Sequence, residues 1–485
     1  MHHKEKLEFT PVIGIEIHIQ LKTRSKIFCS CAADYTNDEP NTHICPVCMG
    51  LPGSLPALNG EVIRQAMRAG LTLHCRILPT TFFFRKSYYY PDLPKGFQIT
   101  QSDLPIAADG WLEIHDDAGR PKRVRVNRLH LEEDVGKLRH VTADGRIEGA
   151  SSSFVDYNRS GLPLAEIVSE PDISSAREAV EYVTTLRRRV LHAGASDVDL
   201  EKGMMRFDAN VSLKCSDGRW GNRVEVKNMN SFRALERAIE YEVKRQGSIL
   251  AEGGEVMRET RHWNDARGVT TGLRVKEFYR KFIVEPDLPP LVITKEQVDE
   301  ALASLPEMPE EKLVRYVGFG LSEGDAAVLI EEPAVARYFE ACVTAGANPL
   351  RAGNWVRTEV LRVVNDAKVS ADMIAVSPEA LASLLAKVED GGLSTTLAKS
   401  VFDALLDGLS FEDALKRSGA SDGAVDVHAL AASVVAANPD VVAEIRSGKD
   451  TKGKKVKFLV GLMMRESKGS VKVDEATAAL EKVLA

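Results

Sequence analysis

A strictly alternating run from Val12 to Gln20 constrains the fold of this chain more than any other stretch. Its apolar positions are Ile13, Ile15, Ile17 and Ile19. Because successive side chains of a strand point to opposite faces, this pattern predicts a strand with Glu16 and His18 on its polar face. A carboxylate and an imidazole two residues apart suit a hard cation such as Mg²⁺. Taken alone, the run is also typical of an amphipathic strand that faces water.

Similar strands recur further along the chain and favour the metal-site interpretation. Met205–Leu213 alternates in the same way and places Asp208 on its polar face, and Arg223–Lys227 repeats the pattern. Strands with one apolar and one charged face predict an antiparallel sheet whose polar side is open to a cleft. A helix over Phe232–Gln246, ending at Gly247, is expected to cover the apolar side.

Three consecutive carboxylates follow the apolar strand that contains Leu129 and Leu131. They are Glu132, Glu133 and Asp134. Adjacent carboxylates repel one another and their pKa values rise unless a cation is near, which favours a bound metal here. Strict alternation places Glu132 with His130 on one face and Glu133 on the other. Strand ends often break register, so both glutamates remain candidate ligands.

Four of the seven cysteines form two close pairs. They are Cys29, Cys31, Cys45 and Cys48, in a C-x-C…C-x-x-C pattern. Four thiolates in this arrangement suit tetrahedral Zn²⁺, and a site with four sulfur ligands has no open position for chemistry. We therefore predict a structural zinc knuckle inserted at residues 27–50.

Composition narrows the class of protein. The chain has 485 residues, which predicts two to four domains, and a net charge of −7, which argues against a protein that coats nucleic acid. It has no apolar run of the ~20 residues needed to span a bilayer, and its first residues lack the apolar core of a secretory signal. A cytoplasmic protein with reduced thiols and no membrane partner is expected.

Two further segments concentrate basic residues. The segment Phe82–Gly96 combines aromatic rings with Lys95 in a Pro-Lys-Gly turn, and it is typical either of a core strand followed by a rigid turn or of a site for bases or phosphate. The loop Gly448–Lys457, extended by Lys468 and Lys472 and followed by a helix from Phe458, suits a phosphate backbone or is simply solvated.

Changes of character along the chain predict its domains. Pro171-Asp172 is expected to open a helix whose apolar face includes Val190. After the Pro-rich segment Pro286–Pro290, nearly all the sequence up to Leu415 has the pattern of short helices, and a second boundary falls near Gly419–Gly423.

Six motifs in order resemble the B subunits of tRNA-dependent amidotransferases, the GatB family of the GatCAB enzymes. The motifs are Val-Ile-Gly-Ile-Glu-Ile-His-Ile-Gln, Tyr-Tyr-Pro-Asp-Leu-Pro-Lys-Gly, His-Leu-Glu-Glu-Asp, Glu-Ile-Val-Ser-Glu-Pro-Asp, Arg-Phe-Asp-Ala-Asn-Val-Ser and Val-Glu-Val-Lys-Asn-Met-Asn-Ser-Phe-Arg. The resemblance covers essentially the whole chain.

The resemblance implies a fold and an activity. The fold is α+β, with an antiparallel-sheet cradle as the catalytic domain (residues 1–290), an all-α helical domain (291–418) and a small α-helical YqeY-like tail that contacts tRNA (419–485). The activity is ATP-dependent phosphorylation of the side-chain carboxylate of Glu-tRNA(Gln), Asp-tRNA(Asn) or both, followed by amidation. Ammonia would come from the amidase subunit GatA, in a heterotrimer with the small subunit GatC.

The resemblance also implies a set of site residues. The Mg²⁺ ligands would come from Glu16, His18, Glu132, Glu133, Glu166, Glu170 and Asp208. The catalytic residues would be Glu16, His18, Lys95, Glu133, Glu166 and Asp208. Lys95 and Arg206 would bind ATP, since the sequence has no Walker-type glycine loop.

One segment departs from the family pattern, and two other functions stay open. Residues 278–284, Phe-Tyr-Arg-Lys-Phe-Ile-Val, replace the usual Asp-Tyr-Arg-Tyr-Phe-Pro run. A non-catalytic RNA-binding module would use the zinc knuckle, the aromatic cluster and the basic tail, and would not need Glu16 or His18. A metal-dependent phosphohydrolase would turn over without tRNA.

Overall fold

The computed structural model of the chain describes residues 7–101, 103–142, 149–275, 282–419, 426–447, 453–467, 471 and 473–484. The chain divides into two compact units, Met1–Met308 and Pro309–Ala485. Within the described ranges, no helix is both long enough and apolar enough to cross a membrane.

The first unit combines a large sheet with four helices among its described residues. Its strands are β1 (Phe9–Gln20), β2 (Arg76–Ile77), β3 (Thr80–Thr81), β4 (Phe84–Ser87), β5 (Phe97–Thr100), β6 (Ala107–His115), β7 (Pro121–Glu133), β8 (Lys137–His140), β9 (Ser153–Asp156), β10 (Pro163–Ser169), β11 (Met205–Cys215), β12 (Val224–Met229), β13 (Glu259–Asn264), β14 (Val269–Val275), β15 (Phe282–Val284) and β16 (Leu291–Val292). Its helices are α1 (Gly60–Thr72), α2 (Ala176–His192), α3 (Phe232–Ala251) and α4 (Lys295–Ala303). The α+β class predicted from the sequence is confirmed.

Strand β1 lies in the middle of the large sheet. The strand order is β14-β13-β12-β11-β1-β10-β7-β5-β4-β15, with β6 also paired to β7. The four isoleucines of β1 are fully buried and share one apolar cluster with residues of α2 and α3, such as Leu186 and Ile239. Burial of four large aliphatic side chains fixes the register of β1, because a slip of one residue would bury Glu16 and His18 instead.

The sheet is mixed, whereas the sequence predicted an antiparallel one. Strands β12 and β13 pair in parallel, and the other strand pairs described in the large sheet are antiparallel. Helix α3 connects β12 to β13 as a crossover, and a crossover returns the chain in the same direction. The antiparallel prediction is wrong at this one pair.

Two helix boundaries also differ from prediction. Helix α2 begins at Ala176, capped by the Ser175 side chain, and Asp172 instead binds Arg125 before the helix starts. Helix α3 continues through Gly247 to Ala251. A Cβ at Gly247 would lie 3.5 Å from the ring of Phe9, an ordinary contact distance, so this buried glycine is an interior residue of the helix and does not end it.

The second unit is helical. Its elements are α5 (Pro309–Gly318), α6 (Glu323–Ile330), α7 (Pro333–Thr344), α8 (Pro349–Trp355), a π-helical segment (Val356–Val360), α9 (Leu361–Ala367), a 3₁₀ segment (Ala371–Met373), α10 (Pro378–Glu389), α11 (Thr395–Leu406), α12 (Phe411–Arg417), α13 (Val427–Ala437), α14 (Pro439–Arg446), α15 (Lys454–Glu466) and α16 (Val473–Leu484). Helix α15 begins at Lys454, so the last residues of the predicted basic loop are helical. Lys468, Lys472 and residues 448–452 lie outside the described residues.

The buried apolar residues of the second unit form two clusters. One extends from Tyr316 to Ala414 and the other from Ala431 to Leu480. Helix α4, in contrast, belongs to the first unit, where Ala301 packs in the core. The compact division therefore falls after α4, whereas the sequence placed the first boundary before it, at residue 290.

Candidate active site and cysteine site

Pairing within the sheet brings the predicted acidic residues together on its polar face. Glu16 of β1 lies opposite Asp208 of β11, and His18 lies opposite Glu166 of β10. Glu166 in turn lies opposite His130 of β7. The strands therefore place residues far apart in sequence into two neighbouring groups.

The first group consists of His18, Glu132 and Glu166. Its members each offer a ligand atom within 4.8 Å of the others. His18 Nε2 lies 3.4 Å from Glu166 Oε2 and 3.6 Å from Glu132 Oε1. His130 Nε2 approaches the same Glu166 oxygen at 3.3 Å, while its Nδ1 is buried and has no hydrogen-bond partner among the described residues.

The second group consists of Glu16, Asp208 and Glu225, again with ligand atoms within 4.8 Å of one another. The ammonium of Lys227 bonds to Asp208 and lies 3.4 Å from Glu225 Oε1. Asn210 donates its side-chain amide to Glu16 Oε1 at 2.8 Å. Lys227 thus supplies a positive charge at the place where the carboxylates converge.

The electrostatics of both groups favour a cation. Burial by itself lowers the pKa of His18. The nearby carboxylates of Glu166, Glu132 and Asp208 together have the opposite and larger effect, so that the pKa is raised to about 9. Burial also lowers the pKa of Lys227, and the attraction of Asp208 and Glu225 reverses this, so that the pKa is raised. The protonated forms of His18 and Lys227 are both stabilised because the polar face of the sheet carries excess negative charge.

The structure separates Glu133 from the two groups. Lys95 Nζ lies 2.5 Å from both carboxylate oxygens of Glu133, and the backbone N–H of Ile99 donates to Glu133 Oε1 at 2.8 Å. Both side chains of this ion pair are buried, at 7% and 2% exposed. Glu132, by contrast, lies within the first group.

Two other predicted residues also lie outside both groups. Glu170 accepts a hydrogen bond from the Asn127 side chain at 2.7 Å. Arg206, opposite His18 in the sheet, donates to Asp134 Oδ1 at 3.0 Å. Attraction by Asp134 raises the pKa of Arg206, so this guanidinium is charged beside the first group.

A cavity of about 600 Å³ adjoins the first group. His130 and Glu166 lie in its wall, and so do the cationic side chains of Arg76, Lys86 and Arg128. Arg76 is paired with Asp109. The cavity is therefore a polar space, lined by both cationic and acidic side chains, that reaches one of the predicted metal ligands.

The four predicted cysteines converge. Their sulfur atoms all lie within 4.8 Å of one another, and the Sγ atoms of Cys45 and Cys48 are 3.8 Å apart. In a tetrahedral zinc site with Zn–S bonds of about 2.3 Å, neighbouring sulfurs are about 3.8 Å apart. The backbone N–H of Cys45 donates to Cys48 Sγ at 3.2 Å. This donor set can hold a structural metal ion.

Hydrogen bonding within the cysteine site lowers the pKa of one thiol and raises that of its partner. A hydrogen bond from the Cys29 thiol is the largest cause that lowers the pKa of Cys48, to about 5. The same bond is the largest cause that raises the pKa of Cys29. The thiolate is the form of cysteine that binds metal, so the lowered pKa of Cys48 favours metal binding at this sulfur.

Comparison with known proteins decides the family. A family model described as the GatB/GatE catalytic domain matches residues 11–299, and one described as the GatB domain matches residues 337–484. The chain belongs to the GatB/GatE family. The family predicted from the six motifs is thereby confirmed.

Several relatives of this GatB/GatE member are similar over almost their full length, and each is named as the B subunit of an aspartyl/glutamyl-tRNA(Asn/Gln) amidotransferase. The relative from Thermotoga maritima is 44% identical over 99% of both chains. The one from Synechococcus sp. (strain JA-2-3B'a(2-13)) is 45% identical over 96% of this chain and 95% of its own. The one from Thermoanaerobacter pseudethanolicus is 42% identical over 96% of both.

Sequence reasoning about this GatB/GatE chain missed four residues that belong to the acidic groups or contact them. They are His130, Asn210, Glu225 and Lys227. Each occupies a polar-face position in an alternating strand, so the pattern contained a signal for them. What the pattern lacked was the strand order, which brings β12 beside β11 and β7 beside β10.

Proposed function

We propose that this chain is the transamidating subunit of a glutamine-hydrolysing aspartyl/glutamyl-tRNA(Asn/Gln) amidotransferase. The observation that carries the proposal is the convergence of His18, Glu132 and Glu166 with Glu16 and Asp208 on one polar sheet face. Family membership and the names of the full-length relatives support the same activity.

The two acidic groups fit Mg²⁺. Their donors are five carboxylates and one imidazole, which is the oxygen-rich set that Mg²⁺ prefers. The residues that would hold the metal are His18, Glu132 and Glu166 in the first group and Glu16 and Asp208 in the second. Bound there, Mg²⁺ would neutralise phosphate oxygens during phosphoryl transfer. Glu133 and Glu170 also belong to the proposed ligand set. To bind the metal, Glu133 would have to leave Lys95 and Glu170 would have to leave Asn127.

The proposed reaction has two steps. A side-chain carboxylate oxygen of the aminoacyl-tRNA attacks the γ-phosphorus of ATP, ADP leaves, and an acyl phosphate forms. Ammonia then attacks the acyl carbon, phosphate leaves, and a proton is released with the new amide. The first step is needed because oxide is a poor leaving group, whereas phosphate is a good one.

Positive side chains around the first group would hold the phosphates of ATP. Lys86 and Arg128 line the adjoining cavity, and Arg206 lies opposite His18. Arg206 keeps its charge beside Asp134 and can orient a phosphate oxygen by a charge-assisted hydrogen bond. Lys95 could take part only by exchanging Glu133 for a phosphate.

The remaining assignments concern the other parts of the assembly. The first unit would contain the cradle-shaped catalytic domain (1–290), and the two separate apolar clusters of the second unit would belong to the helical domain (291–418) and to the YqeY-like tail (419–485). The cysteine site would hold structural Zn²⁺. The chain would act in the cytoplasm as a heterotrimer with GatA, which supplies ammonia, and GatC, on misacylated tRNA(Gln), tRNA(Asn) or both.

The test uses the complex of this chain with GatA and GatC. Labelled Glu-tRNA(Gln) or Asp-tRNA(Asn) is incubated with ATP, Mg²⁺ and ammonium ions in place of glutamine, and the amino acid released from the tRNA is identified. Gln or Asn that forms only with ATP supports the proposal and establishes substrate choice. Binding of tRNA without amide formation would favour an RNA-binding module, and ATP hydrolysis that does not need tRNA would favour a phosphohydrolase.

A further inference from the structure

Lys26 is a lysine with no exposed surface, and it lies directly beneath the cysteine site. It precedes Cys29 by three residues. Its stem lies beside Gly161, where a Cβ would be 3.5 Å from Lys26 Cδ and 3.6 Å from Cys48 Cβ. A fully buried ammonium is costly unless an opposite charge compensates it.

The polar contacts of Lys26 contain no carboxylate among the described residues. Its Nζ donates to the backbone oxygen of His43 at 2.7 Å and to that of Tyr157 at 3.3 Å, and lies 4.0 Å from Cys48 Sγ. Within the described ranges, no carboxylate oxygen lies within 4.0 Å of this nitrogen. The two carbonyl oxygens accept from two of its three N–H donors, but they leave its charge unbalanced.

The cysteine site supplies the missing charge once it holds metal. Four thiolates around one Zn²⁺ carry a net charge of −2, and such a centre is itself unfavourable in a buried environment. An ammonium beside one of the sulfurs offsets half of that charge. The lysine and the metal centre therefore each lower the cost of burying the other.

We propose that Lys26 is a positioning residue of the zinc site, whose buried ammonium is the counter-ion of the zinc tetrathiolate through Cys48. The inference rests on the structural zinc suggested above and adds the residue that determines how tightly the knuckle retains it. The Lys26 ammonium also links the knuckle to Tyr157, because it donates both to the backbone oxygen of His43 in the knuckle and to that of Tyr157. Loss of zinc should thus destabilise this junction as well as the knuckle.

The experiment compares full-length Lys26→Met and Lys26→Arg with a matched control, Lys22→Met. Lys22 is four residues away, 61% exposed and paired with Asp197 at 2.7 Å. Zinc content and the rate of zinc release to a chelating dye are measured for each purified chain. Removal of an outer contact of a metal site typically weakens metal affinity by about 10–100-fold.

The expected result is one zinc in the wild type and in Lys22→Met, release at least ~10-fold faster from Lys26→Met, and release within about threefold of the wild type from Lys26→Arg. Wild-type kinetics in a folded Lys26→Met would overturn the inference while leaving the zinc site intact. A wild-type chain without zinc would overturn the zinc site itself, and the inference with it.

A second measurement uses only the wild-type chain, so it does not depend on the folding of a variant. Lysines are acylated with acetic anhydride before and after zinc is removed by a chelator, and labelled sites are mapped by mass spectrometry. Lys26 should be protected with zinc and become labelled without it, whereas Lys22 should be labelled in both states. Continued protection of Lys26 after zinc removal would overturn the inference, because its charge would then be buried without the metal centre.

Discussion

The ammonium of Lys95 lies 2.5 Å from both carboxylate oxygens of Glu133, and this buried pair stands apart from the acidic groups on the polar sheet face. The neighbouring residue Glu132 instead lies 3.6 Å from His18. Two adjacent glutamates at the end of β7 are therefore held by different partners, one by a lysine and one within a group of potential metal ligands.

This separation predicts different metal-binding phenotypes for the two glutamates. Glu132→Gln should weaken Mn²⁺ binding by about 10–100-fold, because it removes a carboxylate from the first group. Glu133→Gln should leave Mn²⁺ affinity within about threefold, a change of under ~0.7 kcal/mol. Calorimetric titration of both full-length variants measures the affinities. The reverse order would contradict the separation of the two side chains.

Gly50 lies against Lys95, in the turn after the last cysteine of the knuckle. We predict from this contact that the knuckle holds Lys95 in place. A Cβ at Gly50 would lie 2.3 Å from Lys95 Cγ. Gly50→Ala should therefore displace Lys95 from Glu133 and lower both the melting temperature and ATP-dependent amide formation. Gly53→Ala is the matched control, since Gly53 also has a positive φ but a Cβ there has no neighbour within 4 Å among the described residues.

In this comparison, backbone strain of about 1–2 kcal/mol is common to both alanine variants. Only the contact with Lys95 differs. Thermal unfolding and the amidation assay are carried out on the full complex. Equal effects of the two substitutions would show that strain alone is responsible, and that the knuckle does not hold Lys95 in place.

We predict that Lys227 and a divalent cation compete for the carboxylates of the second group. Its ammonium bonds to Asp208 and lies near Glu225. Lys227→Met should destabilise the metal-free chain by about 1–3 kcal/mol, because it leaves buried carboxylates without a partner. Added Mg²⁺ should restore more stability to this variant than to the wild type. Denaturant unfolding with and without Mg²⁺ measures both effects, and the control is Lys214→Met, at an exposed lysine of β11. No additional rescue by Mg²⁺ would exclude the second group as a metal site.

We predict that Glu340, in the second unit, makes a pH-dependent contribution to the stability of the protein. Burial raises the pKa of this carboxylate, but hydrogen bonds from Lys312, Tyr316 and Arg315 lower it more, so the net shift is downward. A lowered folded-state pKa stabilises the protein above the unfolded value of about 4.3, and this contribution is lost as pH falls through the folded value.

Glu340→Gln should therefore destabilise the second unit at pH 7 by about 1.5–3 kcal/mol, which is typical of hydrogen bonds to a charged group. The difference from the wild type should persist down to about pH 5 and shrink at lower pH. Urea unfolding monitored by circular dichroism over this pH range measures it. A difference that grows on acidification would contradict the assigned shift.

Local sequence pattern predicted most of the sheet face but not how its strands are ordered. Alternation placed Glu16, His18 and Asp208 on polar faces, since burial of the isoleucines allows only one register. It could not predict that β13 pairs in parallel with β12, because this depends on the path of α3. Gly247 misled for a similar reason: a glycine that ends a helix and one inside a helix look the same in local sequence.

The site residues differ in the same way: local sequence was enough to predict some of them, and others depend on how the strands are arranged. The cysteine quartet was predictable because its spacing alone brings the sulfurs together once the loop closes. The choice between Glu132 and Glu133 was not, since it depends on where β7 ends relative to Lys95, a residue from another segment. Lys227 and His130 were invisible as site residues until β12 and β7 were placed beside their neighbours.

The most direct test of the account is alanine substitution of Glu16, with Glu113→Ala as the control. Glu113 is an exposed glutamate of β6 with no role proposed above. ATP-dependent amide formation and tRNA affinity are measured in the full complex. We predict that Glu16→Ala abolishes amide formation while tRNA affinity stays within about threefold, under ~0.7 kcal/mol, and that Glu113→Ala changes neither. Full amide formation by Glu16→Ala, or equal loss of amidation and tRNA binding, would contradict the assignment of the acidic face as the catalytic metal site.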